Sequence, residues 1–497
     1  MDLAKLNLMA AAPEIVLACL LGVVLLADLF ICDKRRWITY ALTQISLLAV
    51  LGVQYYVARL PEMSEIAFGG MFVNDGIAQL AKMLMYVTVM FLLAYSRHYV
   101  GNRQMYKGEY YTLTLFALLG MCVMVSAQHF LVLYIGLELL SLSLYALIAL
   151  RRDDGLAGEA ALKYFVLGSL ASGMLLYGIS LVYGGTGGQL ELPLVLSNLY
   201  AGTANPILVQ LGLVFIVVGI AFKFGAVPFH MWVPDVYQGA PTAVTAFVAS
   251  APKIAATVFA FRILVTGLGT SFADWSMMLQ IIAVASLLVG NLAAIMQSNI
   301  KRMLAFSTIS HMGFVLLAFV GNALVSDGQT ASSFVGLSAA MYYVVTYTLM
   351  SLVAFGVLLA LSNQGHECEN ISDLAGLNRK HPWYAFLMLL AMFSMAGIPP
   401  LMGFFAKFYV IIALLEQQHI ALAVFAVIMS LIGAFYYLRV VKTMYFDEAA
   451  DTEQTPDFSV AARWLLSINA LALLALGLMP SLVLEWCVNL FRMATGG

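Results

Sequence analysis

The chain has 497 residues, of which 63% are hydrophobic and only 10% are charged, and its formal net charge is −2. This composition excludes an ordinary soluble protein, whose surface needs many more charged side chains, and it offers no basic face for nucleic acid. It predicts an all-α integral membrane protein, in which lipid-facing side chains are apolar along most of the sequence.

Apolar stretches long enough to cross about 30 Å of hydrocarbon recur along the whole chain. We expect fourteen membrane spans, near residues 8–31, 38–58, 75–96, 110–127, 129–150, 159–183, 206–227, 241–267, 275–297, 302–321, 333–361, 383–415, 419–441 and 461–488. Lys and Arg concentrate in the odd-numbered connections, as at Arg151 and Arg152 or Lys301 and Arg302. Because cytoplasmic loops carry the excess of these residues, both termini are expected on the opposite side of the membrane, which is the periplasm in a bacterium.

Two spans contain internal Gly and Pro residues. Span 7 includes residues 222–232 (FKFGAVPFHMW), and span 12 includes residues 395–407 (MAGIPPLMGFFAK). Proline removes an amide donor and disrupts the preceding turn, so both spans are predicted to be broken. Each break lies beside a lysine, as is typical of helices that bind or pass ions.

The spans also suggest an internal repeat. Spans 4–8 and 9–13 are two groups of five, and an odd number of spans inverts the second group relative to the first. Spans 7 and 12 are each the fourth member of their group. We therefore predict four segments: residues 1–107 with spans 1 to 3, residues 108–270 and 271–445 with the two inverted repeats, and residues 446–497 with a loop and span 14.

Five lysines lie inside apolar runs: Lys82, Lys163, Lys223, Lys253 and Lys407. A lysine at the centre of a bilayer costs about 2.5–3.5 kcal/mol, so each is a candidate functional residue. Lys223, Lys253 and Lys407 are placed centrally and favour a proton-handling role over a structural ion pair. Lys163 is near the start of its span and can reach the interface, so a proton-handling role and a structural role both stay open for it. For Lys82 the argument for a functional role is weaker.

Glu138 is the only carboxylate that the sequence places deep in an apolar run, and it needs a cationic partner. With a lysine about 8 Å away at an effective dielectric constant of 20, the interaction would be roughly 2 kcal/mol, enough to act as a switch. His230, beside Asp235 and just past the first break, would link the lysines to one aqueous side or simply bond loop carbonyls. His311 is a further candidate for the same polar axis.

The chain has no P-loop, no GxGxxG after a strand, no HExxH and no GxSxG motif. Its five cysteines have neither metal-binding nor iron–sulfur spacing. We therefore expect no cofactor and no metal in this chain.

The residues 223–253 (KFGAVPFHMWVPDVYQGAPTAVTAFVASAPK) closely resemble the central signature of the antiporter-like membrane subunits of respiratory complex I. The resemblance extends over nearly the whole chain. One branch of this family has a glutamate at the position of Lys407, and a second branch carries a long lateral helix at its end. This chain, which ends at Gly497, shows neither feature, and this favours the third branch.

The resemblance implies roles for individual residues. Glu138 matches the glutamate that pairs with a lysine, Lys223 matches that lysine, and Lys253 and Lys407 match the residues that continue the proton path. Lys163 also matches a family lysine, and His230 lies in the shared motif. No family pattern assigns a role to Lys82.

The resemblance further implies that FMN, the iron–sulfur clusters, NADH and quinone are bound by partner subunits. The expected partners are other antiporter-like subunits and small membrane subunits, in a bacterial inner membrane. Two alternatives stay open: a subunit of a multisubunit cation/proton antiporter, and a passive membrane scaffold whose lysines only hold helices together.

Overall fold

The computed structural model describes residues 6–32, 35–60, 65–103, 105–321, 335–362, 367–448, 456 and 458–494, with side chains described as far as residue 489. These residues form an α-helical protein with one small antiparallel hairpin. Its strands are β1 (Ile66–Ala67) and β2 (Phe72–Val73), with Ile66 opposite Val73. The fold class predicted from the sequence is therefore confirmed at the level of an all-helical membrane protein, with this hairpin as an addition.

The helices follow one another with short connections. In the first half they are α1 (Ala12–Asp28), α2 (Trp37–Val57), α3 (Gly76–Asn102), α4 (Gly108–Ser126), α5 (Phe130–Ile148), α6 (Gly155–Gly185), α7 (Leu192–Tyr200), α8 (Pro206–Phe224), α9 (Trp232–Gly239), α10 (Thr242–Ala249) and α11 (Ala251–Phe261). In the second half they are α12 (Phe272–Ile295), α13 (Ile300–Val320), α14 (Val335–Leu361), α15 (Leu377–Lys380), α16 (Pro382–Ala396), α17 (Met402–Glu416), α18 (Ile420–Phe446), α19 (Val460–Leu478) and α20 (Pro480–Ala494).

Twelve helical segments within the described ranges are long and apolar enough to cross a membrane. Two of the fourteen expected spans are not among them, because α1 has only 17 residues and span 12 is divided into α16 and α17, of 15 residues each. Span 14 contains two helices, α19 and α20, which are separated just before Pro480.

Both predicted helix breaks are present. α8 ends at Phe224 and is followed by Gly225 with φ of 73°, and α16 ends at Ala396 and is followed by Gly397 with φ of 88°. Only glycine adopts this left-handed conformation without a steric penalty, so the two glycines stop their helices. The chain resumes a helix at α9 and at α17.

A third break was not predicted. Span 8 is divided at Ser250 into α10 and α11, and its last turn, Arg262–Gly267, is a π-helix. Pro252 explains the division, since it has no amide hydrogen for the preceding turn and its ring clashes with that turn. The expectation of one continuous helix here is wrong. Lys253 lies in the first turn of α11, just after this break.

The centre of the molecule is formed by α10, α11, α13 and α14, whose residues are almost all buried. Corresponding helices of the two expected repeats cross closely at glycines. A Cβ on Gly120 would lie 2.6 Å from the Leu140 nitrogen, and one on Gly290 would lie 2.8 Å from the Ser310 nitrogen. Both glycines therefore allow backbone contact, between α4 and α5 and between α12 and α13.

The hairpin identifies one end of the molecule. Phe72 pairs with Ala127 at the start of α5, and His129 pairs with Glu191 just before α7. Because α5 runs away from this end and α6 begins at the other, the start of α6 lies at the opposite end. These two ends are called the hairpin end and the α6-start end below.

Candidate functional site

Lys223 is buried at the end of α8, beside the first break. Its ammonium donates a hydrogen bond to the Ser141 hydroxyl oxygen, 2.9 Å away on α5. Glu138, one turn earlier on α5, accepts a hydrogen bond from Ser172 on α6. Two serines thus hold the predicted partners, and Lys223 bonds a neutral oxygen rather than the carboxylate itself.

A small cavity of about 10 Å³ lies among Glu138, Ser141, Ser172 and Lys223. This is close to the smallest volume that holds one water molecule. Glu138 is only half-buried, less enclosed than the sequence led us to expect. The carboxylate and the ammonium therefore line the same small cavity.

Lys253 is 2% exposed and lies on the other side of the same break. Its ammonium donates to the backbone oxygen of Phe224 at 3.3 Å and lies 5.4 Å from the centre of the Trp232 ring. The Trp232 indole nitrogen donates in turn to the Phe222 oxygen at 3.1 Å. Lys253 is therefore held against the residue next to Lys223, so the structure brings these two predicted lysines together.

Lys407 is buried on α17, after the second break. Its ammonium donates to the Ala396 backbone oxygen and to the Ser430 hydroxyl, both at 2.9 Å. It also lies 5.6 Å from the centre of the Phe314 ring.

Lys253 and Lys407 share one geometry. Each bonds the backbone oxygen of the last residue of a half-helix that stops at a left-handed glycine, Phe224 for α8 and Ala396 for α16. The C-terminal end of a helix carries unpaired carbonyls and a partial negative charge, which stabilise a cation without fixing it to a carboxylate. The helix breaks thus provide neutral acceptors for buried ammonium groups.

His311 lies near Lys407, in the fully buried helix α13. One ring nitrogen bonds the Tyr343 hydroxyl at 2.7 Å and the other bonds the Tyr437 hydroxyl at 2.9 Å. Tyr437 also bonds Ser307, one turn earlier on α13. The histidine belongs to a buried hydroxyl network, as its position in the sequence suggested. The tyrosines were missed because α14 and α18 supply them from distant parts of the sequence.

Lys163 does not join the buried lysines. Its side chain is 43% exposed and pairs with Glu159 and Asp235, both at 2.8 Å. Arg302 also pairs with Asp235, at 2.7 Å. These residues line an open cavity of about 130 Å³ at the α6-start end, so Lys163 lies at the surface of the chain.

His230 lies half-buried in the segment between α8 and α9. This position lies inside the break that follows Lys223, as the sequence indicated.

Two carboxylates that the sequence analysis did not single out are more deeply buried than Glu138. Glu14 on α1 is 6% exposed and pairs with the fully buried Lys82 on α3 at 2.9 Å. Asp75 is also buried and bonds both terminal nitrogens of Arg262, at 2.6 and 2.7 Å. Glu14 stands in the first turn of α1, and its partner lies 68 positions away along the chain.

Among the residues that the structure describes, no group of three or more His, Cys, Asp or Glu side chains could hold a metal ion.

Comparisons with known proteins identify the class to which this fold and this lysine site belong. Residues 127–433 match the family model described as "NADH:quinone oxidoreductase/Mrp antiporter, TM". The match covers more than half of the chain and includes Glu138, Lys223, Lys253 and Lys407. The chain belongs to this family.

Full-length relatives narrow the assignment. The chain is 60% identical to the NADH-quinone oxidoreductase subunit N of Neisseria gonorrhoeae, over 98% of this chain and 99% of that one. It is 56% identical to the protein of the same name from Laribacter hongkongensis, over the full length of both. The predicted resemblance to the third antiporter-like branch is confirmed.

Solved structures agree with this fold. A chain of respiratory complex I from Thermus thermophilus has a TM-score of 0.79 and 32% identity, over 95% of this chain and 98% of that chain. A chain of the Mrp complex from Dietzia sp. also has a TM-score of 0.79 at 22% identity, over 99% of this chain and 97% of that chain, which shows a shared fold alone.

Proposed function

We propose that this chain is a membrane-arm subunit of a proton-translocating NADH:quinone oxidoreductase, in which Glu138, Lys223, Lys253 and Lys407 carry the protons. The observation that carries the proposal is the set of three buried lysines beside helix breaks, each bonded to a neutral oxygen, in a chain whose full-length relatives are named subunit N of that enzyme.

The chemistry of these contacts supports proton transfer. A buried lysine bonded to a carboxylate is held in its charged form, whereas one bonded to a serine or a backbone carbonyl gives up its proton more readily. Glu138 is close enough to bias this balance at Lys223 through the two serines. A change in the Glu138–Lys223 separation would move a proton towards Lys253 and then towards Lys407.

His230, inside the first break, and Lys163, in the exposed cluster with Asp235 and Arg302, are proposed to connect this path to water at the α6-start end. Histidine suits such a connection because its ordinary pKa is close to neutrality. His311 and its tyrosine partners extend the polar contacts near Lys407.

We further propose that the chain crosses a bacterial inner membrane fourteen times, with both termini in the periplasm. α1 and the pair α16 and α17 supply the two spans beyond the twelve long helices. Spans 4–8 and 9–13 are proposed to form the inverted repeats, and residues 1–107, 108–270, 271–445 and 446–497 the four segments. The breaks at Gly225 and Gly397 and the paired glycine crossings support this division.

The redox chemistry is assigned to other subunits of the complex. NADH, FMN, the iron–sulfur clusters and quinone would be bound there, and this chain would respond to quinone reduction through its neighbours in the membrane arm. Its partners would include other antiporter-like subunits and small membrane subunits.

The test is to replace Lys223 or Lys253 with alanine in the assembled complex and to measure protons translocated per NADH oxidised. A positioned proton-transfer group accelerates its step by at least about 100-fold, so each variant should assemble and lose most of its translocation. Lys442→Ala is the matched control, because Lys442 is 70% exposed and lies at the end of α18. Wild-type translocation in both buried-lysine variants would overturn the proposal, and sodium-dependent proton exchange without NADH would favour the antiporter alternative.

A further inference from the structure

A second glutamate–lysine pair lies outside the proposed path, between α1 and α3. The Lys82 ammonium is completely buried and donates to Glu14 Oε1 at 2.9 Å and to the Asn74 side-chain oxygen at 2.6 Å. It also lies 5.6 Å from the centre of the Phe72 ring. Two ionisable groups have thus been placed in apolar surroundings at the hairpin end, in helices that precede the first expected repeat.

This pair has spare bonding capacity. Glu14 Oε2 is buried and has no hydrogen-bond partner among the described residues. The Ser126 hydroxyl on α4 lies 3.4 Å from Glu14 Oε1. Asn74 gives Lys82 a neutral acceptor beside the charged one. A carboxylate that served only as a counter-ion would gain from having both oxygens satisfied, whereas an unpartnered oxygen is a vacant place for a proton.

Stability alone gives little reason for such a pair. Removing two charges from water costs about as much as their attraction returns, and apolar side chains of similar size usually hold helices together as well or better. α1 packs mainly against α2 and α4 rather than against α3, so the pair is not part of an extended helix–helix contact that needs charges to hold it. A role in proton transfer explains the two side chains better.

The pair is also connected to the helix that carries Lys253. Asn74 precedes Asp75, whose carboxylate binds Arg262 through two hydrogen bonds. Arg262 begins the last turn of the span in which Lys253 lies nine positions earlier, about 14 Å along the helix axis. Its Nε atom donates to the Val125 oxygen at 3.1 Å, next to Ser126. The Glu14–Lys82 pair is therefore linked, through Asn74, Asp75 and Arg262, to the span that carries Lys253.

We propose that Glu14 and Lys82 form a second proton-binding site of this subunit, at the hairpin end and opposite the Lys163–Asp235–Arg302 cluster. In this step an N–H bond of the Lys82 ammonium breaks and an O–H bond forms on Glu14, so two opposite charges become two neutral groups. The neutral amine then takes a proton from the path, and protonated Glu14 releases its proton towards the hairpin end. The inference rests on the proposed function, since it adds a station to the same proton path.

The test uses Lys82→Arg in the assembled complex. Arginine preserves the charge and the ion pair but holds its proton about 100-fold more tightly than lysine. We expect normal assembly and NADH oxidation by the partner subunits, with at least a twofold loss of protons translocated per NADH, because proton release from position 82 becomes about 100-fold less favourable. Lys442→Arg, at an exposed position, should behave as the wild type.

A second variant keeps the test decisive if arginine does not fit. The double replacement Glu14→Gln with Lys82→Met removes both charges together and leaves no buried ion without a partner. Wild-type translocation in an assembled Lys82→Arg or double variant would overturn the inference and leave a purely structural pair. Lys253→Ala is measured in parallel: if it loses translocation while both Lys82 variants retain it, only this inference fails, and if it also retains translocation, the proposed function fails.

Discussion

The two glutamate–lysine pairs of this chain contain the same chemical groups in different geometries. In the pair on α5 and α8, Ser141 and Ser172 hold Lys223 and Glu138 apart beside a small cavity. In the pair on α1 and α3, Lys82 and Glu14 are in direct contact at 2.9 Å. The first is open and the second is closed.

The same two side chains are suited to different roles in these two geometries. A lysine whose acceptors are neutral changes its charge when a nearby carboxylate moves, so the open pair is suited to respond to a signal. A lysine in direct contact with a carboxylate changes its charge only together with its partner. The closed pair is therefore suited to pass or store one proton as a unit. Removing either side chain alone would leave the other one buried without its partner.

The largest expected effect is a difference in stability between variants of the two pairs. Glu14→Gln leaves the Lys82 ammonium buried without a counter-ion, and breaking such a pair costs about 3–5 kcal/mol. Glu138→Gln should cost less, because Ser141 remains the acceptor for Lys223. Thermal unfolding of the purified complex should show a clear loss for the first variant and a smaller one for the second.

Adding Lys82→Met to Glu14→Gln should restore most of the lost stability, because no unpaired charge remains. Equal losses for Glu14→Gln and Glu138→Gln would contradict the distinction between a closed and an open pair.

A smaller effect is expected at the serine of the open pair. Ser141→Ala removes the acceptor of the Lys223 ammonium, and a hydrogen bond to a charged group contributes about 1.5–3 kcal/mol. Ser143→Ala is the matched control on the same helix, since the Ser143 hydroxyl bonds only the Leu139 backbone oxygen one turn earlier. Unfolding of the two variants should rank Ser141→Ala as the more destabilised. The reverse order would show that Ser141 does not support the lysine.

The features that local chemistry determines were predictable from the sequence. Gly225 and Gly397, each followed by proline within three residues, indicated the two breaks, with Lys223 just before the first and Lys407 a few residues after the second. Pro252 carried the same local signal for the break in span 8. That break was missed because the apolar run continues through it without a glycine.

The partners of the buried charges were not predictable, because they come from distant parts of the chain. Glu14 and Lys82 are 68 positions apart, and Lys407 bonds Ser430 on the next helix. Neither hydropathy nor helical periodicity records which helices become neighbours. The exposure of Lys163 was also left open, since a lysine nine positions into a helix can bend towards water or towards the core.

The smallest expected effect lies in the connection after α14, at Glu367, which bonds Tyr99 and Thr242 and pairs with Arg103. Burial alone would raise the pKa of Glu367, but Lys301, the hydroxyl groups of Thr242 and Tyr99, and Arg103 together hold that pKa below its usual range. A carboxylate whose pKa is lowered in the folded protein stabilises the fold at pH values above its ordinary, unfolded-state pKa. This contribution is lost as the pH falls through the lower pKa of the folded state.

Glu367→Gln should therefore reduce the unfolding temperature of the complex at pH 7, and the difference from the wild type should shrink as the pH falls below about 4.3. A difference that stays constant across this range would show that the charge of Glu367 contributes no stability.

The proposed function depends most on proton release from Lys253, which bonds the end of the first broken helix. Lys253→Arg in the assembled complex tests this directly, because the charge near the Phe224 oxygen and the Trp232 ring is kept while proton release becomes about 100-fold less favourable. The account predicts a complex that assembles with normal stability and translocates far fewer protons per NADH oxidised. A wild-type ratio in that complex would contradict it.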